Sequence, residues 1–298
     1  MEEKKENRLC YLKANMLFIS CLFTALFPSF VSSQDAIDVF STSRIINGHS
    51  TKVLDKGMLE FRVEHKFGDM FGQNGGFHQF YGLDNSADIR IALEYGLSDK
   101  WMIGLGRNKG AGPLRGLIDG FTKYEFFKQT DDNSVPLSLG LMTSGMISIA
   151  NAVNDPSSIA SFPEFRHRLT YSSQLIISRQ FVDRIGVGLI PTYVHRNLVA
   201  NNDQNGLFSI GTALQYRFTD KLGLIFEYYQ NIDNDYRRNE FQNSFSSAIE
   251  WRTFGHVFSI YLSNARGFTE GQFIPYTPSS WLDGEFRLGF AIVRKFEF

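Results

Sequence analysis

A strict period of two governs the last fifteen residues of the chain, and few folds tolerate what it places there. From Gly284 to Phe298 one face carries Phe286, Leu288, Phe290, Ile292, Arg294, Phe296 and Phe298; the other carries Glu285, Arg287, Gly289, Ala291, Val293, Lys295 and Glu297. Such alternation is a strand. Chain ends of soluble proteins fray, which would leave these rings in water. A bilayer covers them, because the wall of a transmembrane barrel is apolar toward lipid and polar toward its lumen.

The same period recurs from Gly57 onward. Leu59, Phe61, Val63, His65 and Phe67 alternate with Glu60, Arg62, Glu64 and Lys66, and Ile89, Ile91, Leu93 and Tyr95 alternate with Asp88, Arg90 and Glu94. Further strands are predicted over 101–107, 119–128, 136–147, 168–180, 185–193, 207–218, 222–229, 244–253 and 256–264. With the closing strand this gives a single closed antiparallel barrel of about twelve strands, an even number as bacterial barrels prefer. Ten or fourteen remain open at this stage, since 148–165 and 265–283 are long enough to conceal a hairpin.

The connections sort by parity. Ser98-Asp99-Lys100, Val182-Asp183-Arg184, Thr219-Asp220-Lys221 and Phe254-Gly255 are short, and 130–135 is little longer; between them lie the long polar segments 68–87, 108–116, 148–165, 196–206, 230–243 and 265–283. A barrel with both termini in the periplasm shows this pattern, with short periplasmic turns and long external loops. A soluble sandwich has no reason to sort its loops this way.

Residues 1–33 have the anatomy of a cleaved signal peptide: basic Lys4, Lys5, Arg8 and Lys13, an apolar run from Met16 to Phe30, then Ser32 and Ser33. The run contains Pro28 and falls short of the roughly 20 apolar residues a membrane anchor needs. Cys21 invites a lipidation reading, but Phe18 stands where such a signal wants Leu. Cleavage near Ser33 removes both cysteines, Cys10 and Cys21, and so excludes disulfides and thiolate chemistry. It also leaves 26 basic against 28 acidic residues, which gives no basic excess for nucleic acid. The mature chain has no apolar run long enough for a membrane helix, so a membrane location requires a closed barrel. Residues 34–56 show no clear strand pattern, although Phe40, Ile45 and Ile46 need something to pack on; the segment reads as a periplasmic lead-in or small plug preceding a barrel over 57–298.

The inward face of the first strands carries Glu60, Arg62, Glu64, Lys66, Asp88, Arg90, Glu94, and by the same alternation Lys123 and Glu125. In a lumen these mixed charges form either a selectivity lining or a structural ladder of ion pairs. Catalytic signals are thin. The six histidines, His49, His65, His78, His167, His195 and His256, sit in no lipase or protease motif. His49-Ser50 falls in the lead-in, and His256 and Ser259, three apart on a strand, face opposite sides. Gly104-Leu105-Gly106 has no following helix and is no nucleotide fingerprint. Asp233-Asn234-Asp235 and Asn201-Asn202-Asp203 lack the spacing of a dedicated calcium loop. No metal site and no cofactor is expected. The aromatic loop from Phe71 to Leu83 either folds inward as a constriction, binds a ligand outside, or packs on the rim.

Two resemblances add to this reading. The terminal row, with Phe290, Ile292, Phe296 and Phe298, resembles the carboxy-terminal signal read by the outer-membrane assembly machinery of Gram-negative bacteria. Arg44-Ile45-Ile46-Asn47-Gly48-His49-Ser50, His65-Lys66-Phe67-Gly68, Phe80-Tyr81-Gly82-Leu83-Asp84 with Ile89-Arg90, and Gly104-Leu105-Gly106-Arg107 resemble an uncharacterised outer-membrane barrel family of Bacteroidetes. That likeness covers nearly the whole mature chain and implies architecture and location without an activity. The expected partners are outer-membrane lipid and lipopolysaccharide, the assembly machinery and an unidentified small solute. The expected role is a channel or transporter for that solute; a barrel-bound lipid hydrolase and a structural or surface-binding barrel are the alternatives.

Overall fold

The computed structural model describes residues 36–72, 74–85, 88–109, 114–201, 203–232 and 240–297. Twelve strands close into one barrel. They are β1 (Met58–Asp69), β2 (Asp88–Ser98), β3 (Trp101–Asn108), β4 (Leu117–Phe127), β5 (Ser138–Ser148), β6 (Leu169–Phe181), β7 (Ile185–Arg196), β8 (Gly206–Arg217), β9 (Leu222–Asn231), β10 (Ser244–Arg252), β11 (His256–Ser263) and β12 (Arg287–Glu297). Each pairs antiparallel with its neighbours in the chain, and β1 pairs with β12, Met58 standing opposite Glu297 and Lys66 opposite Gly289. Closure removes the unpaired edge that hydrocarbon would leave unsatisfied.

The twelve strands fall where the alternation places them. Neither segment suspected of hiding a hairpin holds a further strand: the first runs into the short helical turn Phe165–Arg168 and the second contains α1 (Glu270–Phe273). No described helix is long and apolar enough to cross a membrane. On β2 the pattern is plain: Asp88, Arg90, Ala92 and Glu94 are buried while Ile91, Leu93, Tyr95 and Leu97 are exposed on the outer wall.

Residues 99–100, 182–184, 218–221 and 253–255 make the short turns, all at one end. An aromatic belt rings the outer wall there, from Trp101, Tyr124, Phe181 and Tyr216 to Trp251. Rings with one polar atom suit the boundary between hydrocarbon and water. The Trp101 indole N–H, which lipid would leave without a partner, donates to the Thr122 hydroxyl on the next strand at 2.7 Å.

Candidate functional site

The barrel interior is filled from both ends. From the short-turn end, residues 36–57 rise into the lumen as a hairpin and descend into β1. Its base is fixed by Ile37 N–H donating to the Gln129 carbonyl at 2.8 Å, by Asp38 pairing with Lys52 and Lys128, and by Arg217 donating to the carbonyls of Asp38 and Val39. Arg44 and His49 face each other across the hairpin, and Ile45 N–H closes its turn on the Gly48 carbonyl at 2.8 Å. Phe40, Ile45 and Ile46 are buried against inward residues of the wall such as Met102, Met142, Ile176 and Ile190. Each such side chain removed from water stabilises the inserted hairpin by ~1.5–3 kcal/mol. The sequence lacks a strand signal here because these residues pack on several walls at once rather than on one face.

The tip binds the wall by its main chain. The N–H groups of Ile46, Asn47 and Gly48 donate to the Glu227 carboxylate of β9 at 3.1, 2.9 and 3.0 Å. Asn47 donates its amide to Ser246 of β10 at 2.8 Å and accepts from the Lys66 ammonium of β1 at 2.7 Å. Halfway down, Lys123 donates to the carbonyls of Ser43 and Ser50 at 2.8 and 3.1 Å.

From the long-loop end the connection between β11 and β12 folds inward rather than standing outside, which corrects its reading as an external loop. Its residues Phe268, Phe273 and Ile274 are buried, with the Phe273 ring edge-on to Tyr229 at 4.9 Å between centroids. The two inserts meet. Arg44 donates to the Phe268 carbonyl, Lys66 to the carbonyls of Ala265 and Gly267, and His49 lies 3.7 Å from Glu270. Burial, with Arg44 and Lys123 nearby, holds the His49 imidazole well below its ordinary value, so it faces Glu270 uncharged. Burial likewise pushes the Glu270 carboxyl up, against the opposing pull of Arg44.

All nine charged positions singled out on the first strands are buried inside the barrel. Arg62 lies 2.9 Å from Glu60, 3.6 Å from Glu94 and 4.0 Å from Glu64. Arg90 bridges Glu64 at 2.7 Å and Asp119 at 2.6 Å. Lys66 and Lys123 bond to the inserts, and Asp88 pairs with Arg266 of the inward loop. Glu125 is buried near the hairpin base. The opposite wall is different in kind: Ser144, Ser172, Gln174, Thr192, Ser209 and Gln215 are buried there without charge. Asp119, Glu227 and Ser246 escaped sequence reasoning, since one polar residue on an alternating strand looks like any other.

Water reaches both ends of the filled lumen. A cavity of about 620 Å³ opens at the short-turn end between Asp38, Lys52, Arg217, Arg252, His256 and Lys295. Another of about 320 Å³ lies at the long-loop end among Asp69, Asn85, Arg266, Glu285 and Arg287.

The remaining candidates resolve as follows. Ser50 donates its hydroxyl to the Thr42 carbonyl, and His256 and Ser259 sit opposite Arg294 and Ala291 of β12. Asp203 pairs with Arg196 at 2.9 Å; Asn202 and 233–235 lie outside the described residues, as do 1–33 and Phe298. Among the described residues no group of three or more His, Cys, Asp or Glu side chains is placed to hold a metal ion. The aromatic loop does not fold inward as a constriction: Phe71, Phe77, Phe80 and Tyr81 are exposed on it, with the backbone at positive φ at Phe80 and Tyr81. On β12, Phe290 is half-buried and Ile292 exposed toward the lipid side, with Phe296 beside the Arg294 guanidinium.

Comparison with known proteins adds the following. The family described as Membrane bound beta barrel domain (DUF5777) matches residues 40–296. No curated protein is significantly similar in sequence. Among solved structures, the NanC porin aligns at 9% identity and a TM-score of 0.48 over 80% of this chain and 100% of its own. An outer membrane channel from Pseudomonas putida F1 aligns at 14% identity and a TM-score of 0.48 over 83% and 98%, and the KdgM porin at 8% and 0.46 over 81% and 99%. These are likenesses of outline alone.

Proposed function

This chain belongs to the Membrane bound beta barrel domain (DUF5777) family, and on that premise we propose that it is a gated channel for a small solute in the outer membrane of a Gram-negative bacterium. In this reading residues 1–33 are removed on export, the short turns face the periplasm, and the hairpin of residues 36–57 is the gate.

One observation carries the reading. Beside the apolar residues that hold the inserts, the wall behind them carries buried Ser144, Ser172, Gln174, Thr192 and Ser246, and Asn47, His49 and Thr51 of the hairpin meet Ser246, Gln174 and Ser178 through hydrogen bonds. A barrel that only had to stand would gain from an apolar filling, because buried polar and charged contacts contribute little net stability. The polar stretch of this wall is instead stable when wet, so there it tolerates departure of the insert. The cavities at either end open the lumen's filling to solvent on both sides.

Planar-bilayer conductance of the folded protein tests this. Discrete steps, sparse in wild type and more frequent when the hairpin base is weakened by Asp38→Asn, are expected. A barrel that keeps its heat-sensitive gel migration and stays silent in both forms would overturn the channel reading. The ion pairs concentrated on β1 to β4 favour a second reading, a rigid barrel that presents its outer loops for surface contact. Silence would support it.

A further inference from the structure

The hairpin tip touches the wall as a ligand would. Glu227 of β9 is buried at 2% exposure. Its carboxylate is satisfied by the N–H groups of Ile46, Asn47 and Gly48. Lys66, equally buried, spends one of its bonds on the Asn47 side-chain oxygen at 2.7 Å, and Ser246 accepts the other end of that amide at 2.8 Å. A carboxylate, an ammonium and a hydroxyl from β9, β1 and β10 therefore converge on one residue of the insert. Donors meet the anionic side of the site and an acceptor meets the cationic side, within the length of a single amino acid.

Withdrawal of the tip takes from Glu227 its three N–H donors and from Lys66 the Asn47 oxygen, leaving the ammonium its bonds to the Ala265 and Gly267 carbonyls. A buried, unpaired charge is costly, so the open state favours whatever replaces both contacts. An apolar solute replaces neither, a simple anion replaces one, and a sugar replaces both only with uncharged groups. Charge-assisted bonds are roughly twice as strong as neutral ones.

We propose that the tip occupies the channel's solute-binding site, and that this site takes a zwitterionic amino acid or short peptide, its ammonium on Glu227 and its carboxylate or amide oxygen on Lys66 with Ser246 alongside. Asn47 stands in for the solute in the closed state. The solute and the tip compete for the same groups, so solute binding holds the gate open. This inference rests on the gated-channel reading, and the two fail differently.

The test follows the tip directly in the folded full chain. With Cys10→Ser and Cys21→Ser in place, Ile46→Cys carries the only thiol, and its reaction with a membrane-impermeant maleimide reports departure of the tip. Gly48 lies so close to the Tyr229 hydroxyl that any Cβ there overlaps it. Gly48→Val therefore sets the tip and the Tyr229 ring against each other, and combined with Glu227→Ala, which removes the tip's acceptor, it sets the fully released rate. Glycylglycine is expected to raise labelling in the otherwise unchanged barrel by about tenfold, the equivalent of one charge-assisted hydrogen bond. N-acetylglycine, which lacks the ammonium, and xylose should leave it unchanged. Glu227→Gln should raise the resting rate and abolish the response to glycylglycine.

Fast labelling in Gly48→Val combined with Glu227→Ala, but no response of the otherwise unchanged barrel to glycylglycine or an equal response to all three probes, overturns the zwitterion site while leaving the gate intact. A thiol that stays unreactive in that combined variant, in a barrel still folded by its gel migration, overturns the gate itself. Should Ile46→Cys fail to assemble, calorimetric titration of the unsubstituted chain decides the same point: glycylglycine must bind and N-acetylglycine must not.

Discussion

Arg90 shows what one side chain contributes to this wall. Fully buried on β2, it donates to Glu64 at 2.7 Å and to both oxygens of Asp119 across β3, at 3.2 and 2.6 Å. Truncation to Ala strands Asp119 in the interior and takes from Glu64 its shortest partner, and breaking a buried network by removing one partner costs ~3–5 kcal/mol. Arg90→Ala is therefore expected to lower markedly the temperature at which the folded gel band disappears. Arg90→Lys should fall between, because a point charge cannot reproduce the planar fork. Arg294, exposed on the outer wall against the Phe296 ring, should be replaceable by Gln within ~0.5 kcal/mol. A drop as large for Arg294 as for Arg90 would mean that burial does not set these contributions. Period two on the sequence puts Arg90 and Glu64 on one face, yet it is silent on Asp119 as their third partner and on Glu227 as the tip's anchor. Those contacts span 29 and about 180 positions of chain, and only closure of the barrel brings them together.

The inward loop is the element whose placement the sequence concealed, and the hairpin's it left open between a lead-in and a small plug. Strands advertise themselves because one face meets lipid throughout, whereas an insert meets a different wall at every residue, so Phe40, Ile45 and Ile46 look like stray apolar residues. The inward loop carried a hint in Phe268, Phe273, Ile274 and Tyr276, more rings and branches than a solvated loop needs, all of them buried. The base of the hairpin predicts a pH response. Burial alone would raise the Asp38 carboxyl, but Lys52 and Lys128 outweigh it and hold its value below the ordinary carboxylate range. A depressed folded value means that the tether is at full strength above the unfolded value, about 3.9, and is lost as pH falls through the lower folded one. Asp38→Asn should thus show more frequent channel openings than wild type at neutral pH. That difference should persist at about pH 4 and vanish only once pH falls below the depressed folded value, where the wild-type carboxyl has taken up its proton as well. A gap that persists below that value would place the tether elsewhere.

At the scale of the whole molecule, two solvents and two inserts fix the behaviour. Toward lipid, Leu93 stands exposed at the middle of β2; Leu93→Arg should cost ~2–4 kcal/mol, the depth-dependent penalty of a charge near the bilayer centre. Unfolding in urea from lipid vesicles would measure it, with Leu93→Phe as the neutral reference. Toward the lumen, the hairpin and the inward loop lie in series along the pore, joined where Arg44 meets the Phe268 carbonyl and Lys66 meets Gly267. Resistances in series add, so either insert alone suffices to close the path. Gly48→Val sets the hairpin tip against Tyr229, and Gly271→Val sets the loop against the wall, where a Cβ would lie 2.7 Å from the Met146 sulfur and from a Thr170 methyl. Each single variant should raise conductance only slightly, limited by the insert that remains. Together they should raise it by more than the sum of the two. Conductance that is already large in one single variant and unchanged by the second would identify that insert as the whole gate, and would leave the other as part of the wall.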